Sequence, residues 1–143
     1  MKHIIIISFL FFLSSSGIAQ QSAADTVISN NPQKVKVKVL YFHITNRCHT
    51  CFSIEASVRK TIFENFKTEL DSGIVDLYIL NCELPINKVI SEKYQAYGAT
   101  LAITKIAGGK EKTEDLTSFA FAKIHDENIF ISELKLKIEN LLK

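Results

Sequence analysis

The sequence is short of several things, and each shortage closes off a class of function. Its net charge is small, +2 from 17 basic and 15 acidic residues, which leaves no clustered basic footprint for nucleic acid. No apolar run is long enough for a bilayer: Ile4 to Leu13, broken only by Ser8, is about half of the roughly 20 residues a membrane-spanning helix needs. There is no internal repeat and no second zone of composition, so a single domain is expected. Cysteine is scarce at three residues, and only two stand close together.

What the N-terminus does contain is Lys2, a brief apolar stretch, Ser14-Ser15-Ser16, then Gly17-Ile18-Ala19. A basic start, a short apolar centre and small residues before a cut form a secretory signal peptide. Cleavage is expected after Ala19, giving a periplasmic or secreted protein with no stable membrane insertion. Removing residues 1–19 leaves 124 of the 143 residues, with 16 basic and 15 acidic. That is one ordinary domain, large enough to bury a core of its own. All three cysteines remain, in a compartment where thiols tend to be oxidised.

Residues 20–33 are polar, include Asn30-Asn31-Pro32 and show no periodicity; they read as a flexible lead-in, with the domain spanning 34–143. From Lys34 the chain alternates Val35, Val37 and Val39 with lysines, then runs apolar through Leu40-Tyr41-Phe42, a strand entering a covered interior. After a polar loop, Cys51, Ile54, Val58, Ile62, Phe66 and Leu70 recur at helical steps, and Gly73 closes that helix. Ile74 to Leu80 reads as a second strand, Pro85 to Tyr97 as a helix with proline in its first turn, and Thr100 to Ile106 as a third strand. Gly108-Gly109 predicts a hairpin turn into a short return over Lys112 to Leu116. A turn or two of helix over Phe119–Ile124 and a final helix capped by Asp126 complete the chain. The order is βαβαββα. It predicts an α/β domain with a central mixed four-stranded sheet flanked by helices, the layout of the thioredoxin-like fold.

The candidate chemistry lies in Cys48-His49-Thr50-Cys51. A cysteine at a helix N-terminus faces open backbone N–H groups and the positive end of the dipole, which lowers its pKa from about 8.5. Arg47 before it and a protonated His49 after it push the same way. Cys48 is then an exposed attacking thiol and Cys51, one turn deeper, its resolving partner. Two other readings stay open. The pair can be a static disulfide, or Cys48 and Cys51 can join Cys82 and either His43 or His49 as a soft-metal shell, although no second closely spaced ligand pair exists. Cys82 alone reads as a small buried hydrophobe, His43 as a loop hydrogen-bonder, and His125 as a surface residue. Glu55, four residues past Cys51, is a candidate general base for that thiol, or else half of an exposed Glu55–Arg59 pair.

The run Tyr41-Phe42-His43-Ile44-Thr45-Asn46-Arg47-Cys48-His49-Thr50-Cys51, continuing to Ile54-Glu55, resembles the bacterial thioredoxin-like family labelled nitrophenyl compound nitroreductase subunit ArsF. The likeness continues through Asn81, Asn87, Glu92-Lys93-Tyr94, Thr100-Leu101 and Asp115-Leu116-Thr117. It implies a thioredoxin fold in a small exported protein of a Gram-negative bacterium; the cysteine motif itself points to protein thiols, disulfides or a redox protein as partner. Nothing in the sequence points to a flavin, a nicotinamide or any other cofactor. Against thioredoxin proper, Arg47 stands for the tryptophan before the motif and His49-Thr50 for Gly-Pro. Ala99 occupies the place of the cis-proline, where a non-proline cis bond would cost about 2.5–4 kcal/mol, so a trans bond is expected. Phe42 replaces the buried strand acid.

Overall fold

The computed structural model describes residues 25–143, so the signal-peptide reading of residues 1–19 lies outside the described residues. Strands β1 (Thr26–Ile28), β2 (Val37–His43), β3 (Val75–Asn81), β4 (Thr100–Ala107) and β5 (Lys110–Asp115) form one sheet in the order β1-β3-β2-β4-β5. Helices are α1 (His49–Asn65), α2 (Lys67–Asp71), α3 (Lys88–Lys93), α4 (Thr117–Lys123) and α5 (Glu127–Leu142), with a 3-10 turn at Pro85–Asn87 before α3. No helix of the described residues is long and apolar enough to cross a membrane.

The sheet is mixed, as the order of elements predicts. β2 runs parallel to β3, with Tyr41 opposite Ile79, and antiparallel to β4, with Tyr41 opposite Leu101. Side chains alternate across a strand, so β2 feeds both faces. Val37, Val39 and Tyr41 enter the larger core with Ile54, Val58 and Ile62 of α1 and Phe130, Leu134 and Ile138 of α5. Leu40 and Phe42 face the other way, against Leu80, Ala96 and the half-buried Ile90 of α3. Each such aliphatic or aromatic side chain, fully buried, contributes about 1.5–3 kcal/mol. The central strand is therefore covered on both faces and paired along both edges, and the site lies at the end where β2 gives way to α1.

The sheet has five strands, not four. The extra strand comes from the segment read as a flexible lead-in: β1 pairs antiparallel with β3, Val27 opposite Tyr78. Side chains around it are tied down as well. Asp25 accepts the Asn81 backbone N–H at 2.7 Å, Ser29 donates to Asp76 at 2.8 Å, and Asn30 donates to the Leu70 carbonyl at 2.8 Å. The domain thus begins before residue 34. Three residues of strand in polar surroundings give no periodicity to read, and the pairing partner is some fifty positions away.

The long first helix is also interrupted. Phe66, at φ −130°, separates α1 from α2. Its side chain is nonetheless buried with Ile62 and Leu70, so the apolar rhythm passes through the break unaltered. The second helix is shorter than expected, ending at Lys93. Local signals fared better. Gly108 and Gly109, at φ +57° and +72°, make the two-residue turn between β4 and β5, a geometry that needs left-handed backbone at both positions. The Asp126 side chain caps α5 by accepting the Ile129 N–H at 3.1 Å. Gly73 ends α2 at φ +73°, and a Cβ there would lie 2.5 Å from the Asn31 backbone nitrogen.

Candidate functional site

α1 begins where β2 leaves the sheet, and the residue at that junction is Cys48. It is the N-cap of α1, extended at φ −79° and ψ 163°, and its sulfur accepts the Cys51 backbone N–H at 3.3 Å. A thiol thus takes the place usually filled by a serine or aspartate oxygen, using one of the helix's open donors. The two sulfurs lie 2.7 Å apart, both as free thiols. Cys48 is exposed and Cys51 is 7% exposed. One thiol faces solvent and the other stands behind it.

Their acidities are driven apart by the same geometry. Cys48 is lowered, first by the hydrogen bond from the Cys51 thiol and then by the Cys51 and Thr50 backbone N–H groups. Cys51 is raised, first by burial and then by its role as donor to Cys48, with the Arg47 charge pulling the other way. This makes Cys48 the more acidic thiol of the two, the asymmetry that an attacking and a resolving sulfur require.

The lowering of Cys48 does not come from the three expected sources in equal part. The Cys51 thiol supplies the largest share and the backbone N–H groups at the helix head the rest. His49 is exposed, and its backbone carbonyl accepts the Ser53 hydroxyl. Arg47 is turned inward: its side chain is 4% exposed, it forms an ion pair with Glu55, and its guanidinium carbon sits 4.3 Å from the centre of the Phe52 ring. Glu55 also accepts Arg59 Nε at 2.7 Å. Burial would raise the Glu55 carboxyl, but hydrogen bonds from Arg59 and Arg47 outweigh it and hold the group below its usual range. A carboxylate so held is a weak base, which argues against the general-base part for Glu55. Nor is it half of an exposed pair, because Glu55 is buried and the partner that sequence reading missed is Arg47. The one available signal was spacing, since Arg47, Cys51 and Glu55 follow one another at four-residue steps.

Tyr41 joins strand to site, its hydroxyl donating to the Cys51 carbonyl at 2.9 Å. Burial pushes its phenol well above the ordinary range, so it stays a donor. His43 is buried at the end of β2, Nδ1 donating to the Ile44 carbonyl at 3.0 Å and Nε2 left without a partner. Cys82 is half-buried, its sulfur 4.0 Å from the Gly98 carbonyl, and burial pushes its thiol up. Among the described residues no three His, Cys, Asp or Glu side chains gather closely enough to hold a metal ion; Cys48 and Cys51 come together, while Cys82 and His43 do not complete a shell with them. His125 is exposed. Ala99 packs against the larger core, and every described peptide bond is trans.

Neither a family model nor a curated protein sequence matches this chain.

Proposed function

We propose that this is an exported thioredoxin-like protein that exchanges thiols and disulfides through Cys48 and Cys51. The observation that carries the reading is the pair itself: an exposed sulfur capping a 17-residue helix, with a buried sulfur 2.7 Å behind it. The α/β sheet with the motif between its central strand and the following helix supports a thioredoxin-like fold, as does the resemblance of residues 41–55 to the ArsF-labelled family. The basic-apolar-small pattern of residues 1–19 supports export.

In the reduced protein, the Cys48 thiolate attacks one sulfur of a partner disulfide. A Cys48–partner bond forms, and the partner's other sulfur leaves as a thiolate that takes up a proton. Cys51 then loses its proton and attacks the Cys48 sulfur, closing the Cys48–Cys51 disulfide and releasing the partner's second thiolate. Two electrons pass from the cysteine pair to the partner; the reverse sequence oxidises a partner dithiol.

The test is a redox titration of the mature chain carrying Cys82→Ser against glutathione and dithiothreitol, with thiols counted after quenching. Cycling at a potential above about −300 mV supports exchange, because structural disulfides lie below that value. A bond that resists reduction makes the pair a staple instead.

A further inference from the structure

Arginine is almost never fully buried unless paired, and Arg47 is only partly paired. Nη2 meets Glu55, and the guanidinium lies against Phe52, yet Nε and Nη1 are buried with no partner. Buried donors left open cost free energy. A satisfied structural ion pair has no need of that cost.

The position of the guanidinium says what the open donors are near. Arg47 directly precedes Cys48. Its contacts with Phe52 and Glu55 lie just past Cys51, one residue and one helical turn further along α1, and its charge also acts on the Tyr41 hydroxyl. Cys51 is itself buried, and burial disfavours the thiolate it must become when it resolves a mixed disulfide. The other titratable groups at this sulfur are Cys48 from the helix cap and Tyr41 from β2; Glu55 and then Arg59 stand behind Arg47. Tyr41 is occupied as a donor to the Cys51 carbonyl, and Glu55 is occupied by two arginines. Neither accepts the Cys51 proton readily.

We infer that Arg47 is a positioning residue whose buried guanidinium stabilises the Cys51 thiolate during resolution, with Glu55 as the opposing charge that weakens this effect. This rests on the exchange function proposed above. The proton from Cys51 passes to water or to the departing partner thiolate, and no carboxylate base is used. The Arg47 charge accordingly favours the Cys51 thiolate.

The experiment is a titration of Cys51 by ultraviolet thiolate absorbance, in a chain where Cys48→Ser and Cys82→Ser leave it as the only thiol. A charge role and a packing role give different signs. Arg47→Met removes the positive charge and raises the Cys51 pKa, cutting the thiolate fraction at a given pH about tenfold. Glu55→Gln keeps the shape, removes the opposing charge and lowers the pKa. Arg47→Lys keeps the charge and restores most of the thiolate. Shifts of the same sign in Arg47→Met and Glu55→Gln, or no shift in either, overturn the inference. Should Arg47→Met fail to fold, Glu55→Gln still decides, since an unchanged or raised pKa overturns it alone. Glutathione exchange by the Cys82→Ser chain is read separately, so a failure of exchange is distinguishable from a failure of this charge.

Discussion

The Tyr41 hydroxyl donates to the Cys51 carbonyl across 2.9 Å, fastening the central strand of the sheet to the second cysteine of the motif. The carbonyl belongs to the first turn of α1, so the bond fixes how that helix enters from the loop. Tyr41→Phe removes the hydroxyl and little else. The expected loss is about 1 kcal/mol, read as a lower urea midpoint with an unchanged slope. An unchanged midpoint would mean that the strand does not brace the helix.

Cys51→Ser removes the resolving sulfur and leaves Cys48 at the helix cap. With excess glutathione disulfide, this variant is expected to accumulate a stable mixed disulfide, while Cys48→Ser does not. Intact-mass measurement reads both. A Cys51→Ser protein that stays unmodified would show that Cys48 does not attack.

The Glu55 ion pairs make stability depend on pH with a definite sign. The folded carboxyl is held below its unfolded value, and that value is about 4.3. The stabilisation is therefore fully present above that pH and is lost as pH falls through the folded value. Urea midpoints of the wild type and Glu55→Gln should differ at pH 7 and converge on acidification. A gap that persists to the lowest pH would assign the loss to packing.

Gly73 and Gly108 separate two costs of adding a methyl group. Both have positive φ, +73° and +57°, but Gly108 has open space around its missing Cβ while Gly73 faces Asn31 at 2.5 Å. Gly108→Ala should cost about 1–2 kcal/mol from backbone strain alone. Gly73→Ala should cost clearly more, since Asn31 or the turn must move. Thermal melts of the two variants side by side give the difference, and equal losses would mean the Asn31 segment yields freely.

What the sequence revealed was local, and what it concealed was long-range. The Gly108-Gly109 turn, the Asp126 cap and the Cys48 cap each depend on two to four neighbouring residues, and each stood where the chain placed it. β1 is three residues that become a strand only because β3 offers an edge. Phe66 keeps its apolar place while its backbone breaks the helix, so periodicity could not mark the break. Arg47, next to Cys48, reads as a charge acting on that thiol, and nothing local shows that its side chain turns inward. Its burial depends on Glu55, and Glu55 was in turn read against Arg59 alone.

The two borders of the sheet bear on how the protein behaves in a crowd. One border is β1, only three residues long. The other is β5, whose sequence Lys-Glu-Lys-Thr-Glu-Asp is exposed along its whole length, with five of six residues charged. Unpaired strand edges invite further chains to stack on, and brevity and charge are the means by which natural sheets refuse them. The apolar strands β2, β3 and β4 that would propagate an aggregate are all interior. Neither border of the sheet is a ready seat for a further strand.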